Sequence, residues 1–479
     1  MSLTLADVCL GLGASQVSPA LAQVSISRFV IDSRQAGHRA CFLAFVGEKT
    51  DGHLYINNAI AQGAIAAIAQ RVPEDLPPVQ IYRPGQDPVP ERVDVPILFL
   101  VDSTLAALQR LAAFWRARHD PTVIGITGSV GKTSTKELVA AVLRQQAATV
   151  WNEGNLNNEI GLPLTLLRLE PRHRYAVLEM GFYVEGEIAA LCELAHPHIG
   201  VITNVGPIHL ERAGSMEAIF RGKAELVRAL PAEGMAVLNW DDDWVRRMAD
   251  LSPAPIFRYG LGDEADLWAD EIFSAGLEGI RFRFNYRRRP GHVETLHVHL
   301  PLLGRHSVHT ALRAAAVGLI LDYSWEDIIK GLMDVNAQLR IEVTPGPDGS
   351  TIIDDTYNAS PPSTIAALNL LADMDGRHIA VLGDMLELGS YEETGHRLVG
   401  RRAVDVVDIL ITVGERARWI AAEARAAGMP AAHIHSVDTH EEALELLQRL
   451  IRPQDYILIK GSRAVGLEAL VAALSIPAA

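Results

Sequence analysis

Strands and helices alternate along most of this sequence, and the alternation predicts an α/β protein with three domains built on mainly parallel sheets. The length of 479 residues is enough for about three domains that each bury a core of their own. Hydrophobic residues make up 49% of the chain and charged residues 21%, a balance typical of a globular protein in water. We predict a small α/β domain over 1–119, a central domain with a parallel sheet over 120–337, and a Rossmann-like α/β domain over 338–479.

The first predicted domain opens this alternation. Residues 42–46 form an apolar run typical of a strand, and residues 57–70 predict a helix, a turn and the next strand. The proline-rich segment 83–96 predicts an exposed loop, because proline cannot donate a backbone hydrogen bond to a sheet. A helix over 105–119 then leads to Asp120-Pro121, where we place the first domain boundary.

In the central domain, apolar runs separated by helical segments predict a parallel sheet with both faces covered. Ligands in such sheets bind at the carboxyl ends of the strands. The predicted strands are 122–127, 174–179, 199–204 and 235–239.

The third domain repeats the β/α alternation, which again predicts a parallel sheet. Its elements are a strand at 351–353, a helix at 363–373, and further strands at 378–382, 408–413 and 455–459.

The first central strand runs into the sequence GITGSVGKTSTK at 125–136, and an apolar helical segment follows. Strand, glycine-rich turn and helix in this order are typical of a phosphate-binding loop. The glycines at 125, 128 and 131 let backbone N–H groups turn towards an anion, and the helix adds the positive end of its dipole. The pattern predicts Lys132 on the β- and γ-phosphates of a nucleotide and the Thr133 hydroxyl on Mg²⁺.

The loop departs from the commonest nucleotide-loop spacing, because Ile126 stands where that pattern has glycine. The chain therefore matches a variant, G-x-x-G-x-x-G-K-T. A glycine-rich turn with an unrelated lysine is the alternative that remains open.

Two further central strands end in polar residues. Glu179 follows an apolar run, where a carboxylate can meet a metal ion held by nucleotide phosphates; capping of the next helix is the alternative. Thr203 and Asn204 follow the next strand along the chain. Because parallel strands share one carboxyl edge, we expect these residues to converge on the phosphate loop.

Three other central features carry weaker signals. Asparagines at 155, 157 and 158 precede a helix, where they suit phosphate oxygens or a cation, and equally an Asx turn or a helix cap. His209 lies in a loop and Lys223 on a predicted helix. For both residues, a solvent-exposed position is the ordinary interpretation of the residue type alone.

Polar clusters also end strands in the outer domains. The runs 31–34 and 47–53 suit contacts with a polar ligand, although loops are built from the same residue types. Lys460 and Arg463 follow the last strand, where two cations either face an anionic substrate or balance the acidic chain.

Charge and cysteine usage exclude several classes of function. A formal net charge of −15 argues against nucleic-acid and anionic-membrane surfaces, which need extended basic patches. The cysteines at 9, 41 and 192 are too few and too scattered for a disulfide framework or a thiolate metal cluster. The N-terminal residues lack the basic region of a signal peptide, and no apolar run spans a bilayer, so we expect a cytoplasmic location.

The order of motifs along nearly the whole chain resembles that of the Mur ligases of peptidoglycan synthesis. The pairing of DDTYNASPPS with GDMLELG is typical of the member that adds D-alanyl-D-alanine, and Asp-Asn-Pro-Arg, common in the member that adds the third peptide residue, is absent. The motifs that carry the resemblance are GITGSVGKTSTK, GNLNNEIGLP, LEMG, ITNVGPIHLE, GKAEL, LPLLGRH, DDTYNASPPS, GDMLELG and KGSR.

The resemblance implies an ATP-dependent ligase. ATP would phosphorylate the terminal carboxylate of UDP-MurNAc-tripeptide, and the amine of D-alanyl-D-alanine would attack the acyl phosphate. The first domain would then bind the UDP-MurNAc-peptide, the central P-loop domain would bind ATP, and the C-terminal domain would bind the remaining substrate. We expect a monomer that binds neither nucleic acid nor membrane.

Roles for individual residues follow from the same resemblance. Glu179, His209 and Lys223 would surround two Mg²⁺ ions together with Thr133, with Lys223 carbamylated so that it supplies anionic oxygen. Lys132, Glu179, His209 and Lys223 would be the catalytic set. The implied nucleotide contacts are Gly128, Ser129, Val130, Gly131, Lys132, Thr133, Ser134, Asn158, Asn239, His306, Arg340 and Asp355. The implied substrate contacts are Ser33, Arg34, Thr50, Asp51, Gly52, His53, Tyr357, Asn358, Lys460 and Arg463.

The chain departs from the family pattern at three places. Ser307 and Thr310 replace asparagines in the usual GRHN-x-x-N, Val130 replaces an asparagine in the phosphate loop, and residues 38–40 replace Pro-Gly-Asp. Three alternatives remain: another amide ligase of the superfamily (tripeptide-forming or folylpolyglutamate-type), a P-loop kinase or NTPase, and a non-catalytic Mur-like nucleotide-binding protein.

Overall fold

The structure is a computed structural model that describes residues 3–47, 50–334 and 341–476. The chain separates into two compact units. The predicted three-domain boundaries stay a prediction, and the boundary between 337 and 338 lies outside the described residues. The first unit comprises Met1–Gly125, Gln146–Gly181 and Glu187–His198, and the second Ile126–Gln145, Phe182–Gly186 and Ile199–Ala479.

Helices and strands alternate in the described residues, which form three sheets of five, nine and six strands. This confirms the predicted α/β class. The strands are β1 (Phe29–Val30), β2 (Cys41–Leu43), β3 (Ala66–Ala69), β4 (Gln80–Tyr82), β5 (Ile97–Leu100), β6 (Thr122–Thr127), β7 (Thr149–Trp151), β8 (Tyr175–Glu179), β9 (Ile199–Ile202), β10 (Met235–Asn239), β11 (Ile256–Gly260), β12 (Leu267–Ser274), β13 (Ile280–Arg289), β14 (His292–Leu300), β15 (Glu342–Pro345), β16 (Thr351–Asp354), β17 (His378–Gly383), β18 (Ile409–Val413), β19 (Ile434–Val437) and β20 (Tyr456–Lys460).

The α-helices occupy most of the connections between these strands. In the part of the chain that the structure describes, none of them has the length and apolar character needed to cross a bilayer. They are α1 (Leu5–Gly11), α2 (Pro19–Ala22), α3 (Ile56–Ala61), α4 (Thr104–Arg116), α5 (Lys132–Leu143), α6 (Gly161–Leu166), α7 (Glu187–Ala195), α8 (Leu210–Ala213), α9 (Met216–Arg228), α10 (Asp243–Arg246), α11 (Ser307–Ile320), α12 (Trp325–Leu332), α13 (Pro361–Ala372), α14 (Glu392–Val404), α15 (Arg418–Ala426), α16 (His440–Leu450) and α17 (Glu468–Leu474).

The first sheet lies in the first unit and has the order β1-β2-β3-β5-β4, with every neighbouring pair parallel. Phe42, Ala67 and Leu98 on its strands are buried in one apolar cluster. The predicted strand at 42–46 is confirmed, although it ends at Leu43. The proline-rich segment 83–96 forms no strand, as predicted.

The strands of the middle of the chain correct one prediction. In the second unit β9, β10, β11 and β12 pair in parallel, but β12, β13 and β14 pair antiparallel. The all-parallel prediction missed this hairpin. Its signal is the alternation in β13, where Phe282 and Phe284 are buried between more exposed arginines, followed by a turn at Gly291 with φ of 79°.

The third sheet lies in the second unit and has the order β15-β16-β20-β17-β18-β19. All its pairs are parallel except β15 with β16. Leu458 packs in one apolar cluster, whereas Ile457 and Ile459 pack in another. Since neighbouring side chains of a strand point to opposite faces, both faces of this sheet are covered.

The chain leaves β6 at Thr127 and enters the predicted phosphate loop. Gly125 lies inside β6, whose bounds are those of the predicted strand 122–127, and the turn is made by Gly128 and Gly131, with φ values of 144° and 83°. The Thr203 N–H donates to the Thr127 carbonyl at 2.9 Å, which brings the residues after β9 against the loop. A Cβ on Gly128 would stand 1.9 Å from Thr203 Oγ1.

We predict that Gly128→Ala destabilises the second unit by about 1–3 kcal/mol, because the added methyl group meets Thr203 and the backbone conformation disfavours a side chain. Gly262→Ala is the matched control: a Cβ there has nothing within 4 Å, so its effect stays within about 0.5 kcal/mol. Urea unfolding followed by tryptophan fluorescence measures both shifts. Equal midpoints for the two variants would contradict the close approach of Gly128 to Thr203.

Candidate active site

The phosphate loop and the first turn of α5 bring seven predicted residues together, from Gly128 to Ser134. Gly131 is the N-cap of α5 in the left-handed conformation, and no side chain caps the helix. The first N–H groups of a helix carry partial positive charge and have no partner within the helix. The start of α5 can therefore receive an anion.

Residues after β9 hold the loop in place. The N–H of Val130 donates to Asn204 Oδ1 at 2.9 Å, and Asn204 Nδ2 donates to the Val130 carbonyl at 3.2 Å. Ser129 Oγ accepts from the Gly206 N–H at 2.8 Å. The bonds at Val130 use its backbone alone, so a valine side chain in place of asparagine leaves this support intact. The expected convergence of Thr203 and Asn204 on the loop is confirmed.

Lys132 lies over the loop. Its Nζ donates to the carbonyls of Gly128 and Ser129, at 2.9 and 3.1 Å. The half-buried ammonium thus sits beside the N-terminus of α5, where a second positive charge reinforces the helix dipole. This is the position in which a lysine attracts phosphate groups.

Lys223 is buried, unlike the exposed lysine that its residue type alone suggests. Only 2% of the residue is exposed, its Nζ lies 4.8 Å from the centre of the Phe182 ring, and it makes no hydrogen bond or ion pair to other described residues. Burial, and then the charge of Lys132, lower its pKa well below the ordinary value. Helical spacing could have predicted this burial, because Phe220 and Val227 lie on the buried face of α9 together with Lys223.

His209 precedes α8 with a positive φ of 59°. Its Nδ1 contacts the carboxylate of Glu387, and its ring packs against Tyr183 with centroids 4.8 Å apart. Burial and the charge of Lys132 lower the pKa of His209, while Glu387 acts in the opposite direction. Glu387 was not singled out by the sequence interpretation, although it lies in the motif GDMLELG; its contact with Nδ1 orients the His209 ring.

In the first unit, Glu179 ends β8 and is 1% exposed. Asn157 Nδ2 donates to its carboxylate at 2.8 Å, and the amide of Asn152 forms two 2.9 Å bonds to its backbone. Asn158, the predicted nucleotide contact, accepts from the N–H groups of Ile160 and Gly161, at 3.3 and 2.9 Å, in an Asx turn at the start of α6. This Asx turn is the alternative that the sequence left open, and Asn157 and Asn152 are the residues that orient Glu179.

Two of the predicted nucleotide contacts, Asn239 and His306, lie at the end of β10 and the start of α11. Asn239 is buried, and its amide donates to the Thr203 carbonyl at 2.9 Å. His306 is the exposed N-cap of α11. Ser307 and Thr310, which replace the family's usual asparagines, are buried and hydrogen-bonded. Ser307 Oγ donates to the Gly304 carbonyl at 2.7 Å, and Thr310 Oγ1 accepts from an arginine of the same helix. Arg340 lies outside the described residues.

The predicted residues of the C-terminal part meet at the carboxyl ends of β16 and β20. Lys460 is buried, and its Nζ donates to the Asp355 carboxylate at 2.6 Å and to the Asn358 carbonyl at 2.9 Å. The Arg463 guanidinium stands 5.9 Å from the centre of the partly exposed Tyr357 ring. Lys460 and Asp355 are therefore a buried ion pair, and Arg463 and Tyr357 face solvent.

The predicted substrate residues of the first unit lie in two short 3₁₀ turns. Asp32 caps the turn Ser33–Gln35 and forms an ion pair with the exposed Arg34. Asp51 caps the turn Gly52–Tyr55 and accepts from both the N–H and Nδ1 of His53.

His53 is buried, and its Nε2 accepts from the Gln70 N–H at 3.0 Å, so Nδ1 carries the proton. The bonds from His53 and Arg71 hold the pKa of Asp51 below its usual range. The Thr50 hydroxyl contacts Tyr55 at 3.2 Å. These bonds fix the backbone of residues 50–53, and Arg34 is the freely exposed cation of the two turns.

Three family models match the chain in order: the Mur ligase catalytic domain at residues 25–116, the Mur ligase middle domain at 126–318, and the Mur ligase glutamate ligase domain at 339–463. The UDP-N-acetylmuramoyl-tripeptide–D-alanyl-D-alanine ligase of Mycobacterium tuberculosis is 38% identical over 470 residues, which cover 92% of this chain and 91% of that protein.

Two solved structures share the fold. A crystal structure of MurF from Acinetobacter baumannii has a TM-score of 0.83 and 31% identity, and covers 99% of both chains. MurF ligase from Thermotoga maritima in complex with ADP has a TM-score of 0.76 and 28% identity, and covers 93% of this chain and 96% of its own. The resemblance drawn from the motifs is confirmed, and the chain belongs to the Mur ligase family.

Proposed function

We propose that this chain is an ATP-dependent ligase that joins D-alanyl-D-alanine to UDP-MurNAc-tripeptide in the synthesis of peptidoglycan precursors. One observation carries the proposal: Lys132 lies over a phosphate loop at the uncapped start of α5, and a second lysine, Lys223, is buried with its pKa lowered by that burial and then by the charge of Lys132. Such a site suits a polyphosphate and a reaction that moves a phosphoryl group. The names of the M. tuberculosis and A. baumannii relatives support the choice of substrates.

The reaction has two steps. A carboxylate oxygen of the tripeptide attacks the γ-phosphorus of ATP, the bond from that phosphorus to the β,γ-bridging oxygen breaks, and ADP leaves. The amine nitrogen of D-alanyl-D-alanine then attacks the acyl carbon, the C–O bond to phosphate breaks, and the amine gives up a proton as the amide forms. Phosphorylation is needed because a free carboxylate is a poor acyl donor, and the enzyme contributes chiefly by positioning and charge neutralisation.

We assign Lys132 to the β- and γ-phosphates, because it already reinforces the positive end of α5. His209, Lys223 and Glu179 complete the catalytic set. Thr133 and the remaining loop residues receive the phosphates. The other nucleotide contacts that we propose are Asn158, Asn239, His306, Arg340 and Asp355. The proposed substrate contacts are Ser33, Arg34, Thr50–His53, Tyr357, Asn358, Lys460 and Arg463.

The proposal includes two Mg²⁺ ions, and the chemistry of the candidate ligand side chains shows whether these residues can hold them. Within the described ranges no group of three or more His, Cys, Asp or Glu side chains is arranged to hold a metal ion. Thr133, Glu179 and His209 offer a hydroxyl, a carboxylate and a ring nitrogen, but Lys223 as an ammonium would repel the ion. The set fits Mg²⁺ when Lys223 carries a carbamate, which is anionic and presents oxygen. Bound Mg²⁺ would neutralise phosphate charge.

We propose that Lys223 is carbamylated. A carbamate forms when a neutral amine attacks CO₂, so the reaction needs a lysine with a lowered pKa. Lys223 meets this condition through burial and the charge of Lys132. The amine nitrogen bonds to the carbon of CO₂ and loses a proton, so a neutral amine becomes an anion.

We further propose that the protein acts as a cytoplasmic monomer, without nucleic-acid or membrane partners. ATP and UDP-linked precursors are cytoplasmic compounds, and one chain supplies every residue assigned above. The acidic net charge of −15 supports the absence of polyanionic partners.

A reconstituted assay tests the function. Purified protein with ATP, Mg²⁺, UDP-MurNAc-tripeptide and D-alanyl-D-alanine is expected to release phosphate and form the pentapeptide product in equal amounts. Phosphate release that ignores the dipeptide would identify an NTPase, and product formed with glutamate or a diamino acid instead would identify another ligase of the family. Nucleotide binding without any turnover would support a non-catalytic protein.

Lys132→Ala is expected to abolish turnover while the melting temperature stays that of the wild type, because the side chain neutralises phosphate charge and belongs to no apolar cluster. Lys330→Ala is the matched control, since Lys330 is an exposed helix lysine paired with Glu326, and it should keep full turnover. Turnover of Lys132→Ala near that of the control would show that the loop assignment is wrong.

Carbamylation can be observed directly. In buffer with carbon-13 bicarbonate, we expect a carbamate carbon signal by NMR that is present in the wild type, retained in Lys330→Met and lost in Lys223→Met. The buried Lys223 is neutral enough to react, whereas Glu326 raises the pKa of Lys330 and keeps it an ammonium. A wild-type spectrum identical to that of Lys223→Met would refute the modification.

A further inference from the structure

Arg313 of α11 is a buried cation without a counter-charge in the described part of the chain. Only 3% of the residue is exposed, and no described carboxylate lies within ion-pair distance. Its Nε is buried and has no hydrogen-bond partner among the described residues. Fully buried arginines are rare unless they are paired. An unpaired one therefore needs an explanation.

The neighbours of Arg313 hold the guanidinium without neutralising it. Its Nη2 donates to Thr310 Oγ1 at 2.8 Å, and its Nη1 lies 3.5 Å from the Tyr259 hydroxyl. The guanidinium also stands 5.8 Å from the centre of the Tyr259 ring. Tyr259 in turn donates to the carbonyls of Ile202 and Thr203, at 2.9 and 3.1 Å. Arg313 is thus tied to the residues that follow β9, which also support the phosphate loop.

The guanidinium lies beside the residue at which α5 begins. A Cβ on Gly131 would stand 3.1 Å from Arg313 Nη2, so glycine leaves the space that the guanidinium uses. At this point the buried cation adds to the partial positive charge of the helix N-terminus. The guanidinium charge and the positive end of the helix repel each other when no anion is bound. Each of them attracts an anion that binds at the start of α5.

We propose, on the basis of the ATP-dependent function above, that Arg313 is a positioning residue for the nucleotide's phosphates: it acts through Gly131 and the start of α5 and strengthens binding of ATP and ADP. Thr310, at a position where the family usually has asparagine, is its partner. A hydroxyl accepts from the guanidinium without introducing a carboxylate, so the positive charge of Arg313 remains available to the phosphates.

Nucleotide binding to the intact protein tests this role, with Kd for ADP measured by calorimetry over a range of KCl concentrations. Arg313→Met keeps a long apolar side chain and removes the charge. We expect it to weaken ADP binding roughly ten-fold or more, the usual size of a lost charge-assisted interaction. The salt dependence of Kd should become shallower, because one attracting charge is gone. Arg313→Lys keeps the charge and should recover part of the affinity.

The melting temperature without nucleotide separates this role from a structural one. Removing an unpaired buried charge should leave the apo protein as stable as the wild type or more so. Arg116→Met is the matched control: Arg116 is a buried arginine whose Nε and Nη1 donate to the carbonyls of Ala195 and His119, at 3.1 and 3.0 Å. Its loss should lower the melting temperature and leave the Kd for ADP within about two-fold of the wild type.

Each outcome decides the matter. Unchanged ADP affinity and salt dependence in Arg313→Met would overturn the proposal, and so would a fall in apo stability like that of Arg116→Met with ADP affinity retained. If Arg313→Met does not fold, the ADP affinity and the apo melting temperature are measured for Arg313→Lys and Thr310→Val. Wild-type ADP affinity in both variants would then overturn the proposal. Failure of the wild type itself to bind ADP would instead count against the proposed function.

Discussion

Like charges are crowded around the start of α5, and this crowding is the constraint on which the candidate site depends. Lys132 lies over the phosphate loop, and Arg313 is buried beside Gly131. Lys223 is also buried, and its pKa is lowered by this burial and then by the charge of Lys132. Burial of a cation without a counter-charge among the described residues, as at Lys223 and Arg313, opposes folding. Two processes relieve the repulsion: a polyphosphate can bind, or a lysine can lose its charge.

Lys460 is a buried lysine that, unlike Lys223, has a counter-charge among the described residues. Its ammonium meets the Asp355 carboxylate at 2.6 Å and the Asn358 carbonyl at 2.9 Å, so its charge is balanced within the protein. Among the described residues, the Lys223 ammonium has no counter-charge and contacts the face of the Phe182 ring at 4.8 Å. This contrast is why Lys223, and not Lys460, is the lysine for which we propose a reaction with CO₂. Carbamylation would convert the repulsion between Lys132 and Lys223 into attraction.

Local pattern was sufficient to predict the fold class and the phosphate loop. Short apolar runs separated by helical segments located β6, β8, β9 and β10 within a few residues, because period and turn chemistry are local properties. The antiparallel hairpin β13–β14 was missed, although buried and exposed residues visibly alternate in β13. The β/α units before it led us to expect that the following strands would also be parallel.

The partners of the site residues could not be predicted in the same way, since they depend on contacts between distant parts of the chain. Asn157 rather than Asn158 bonds the carboxylate of Glu179, and nothing in the run of asparagines distinguishes the two. Glu387 reaches His209 from 178 residues away. Arg313 lies three residues beyond the family's GRHN-x-x-N motif and belongs to none of the motifs, so its burial beside Gly131 is what draws attention to it.

We propose that the candidate site around the start of α5 transfers the γ-phosphoryl group of ATP to a carboxylate. The most direct measurement uses UDP-MurNAc-tripeptide labelled with oxygen-18 in its terminal carboxylate, ligated to D-alanyl-D-alanine with unlabelled ATP. If an acyl phosphate forms, its C–O bond breaks during amide formation, and mass spectrometry will find a carboxylate-derived oxygen-18 in each released phosphate. Phosphate released without the label, alongside product formation, would contradict the account.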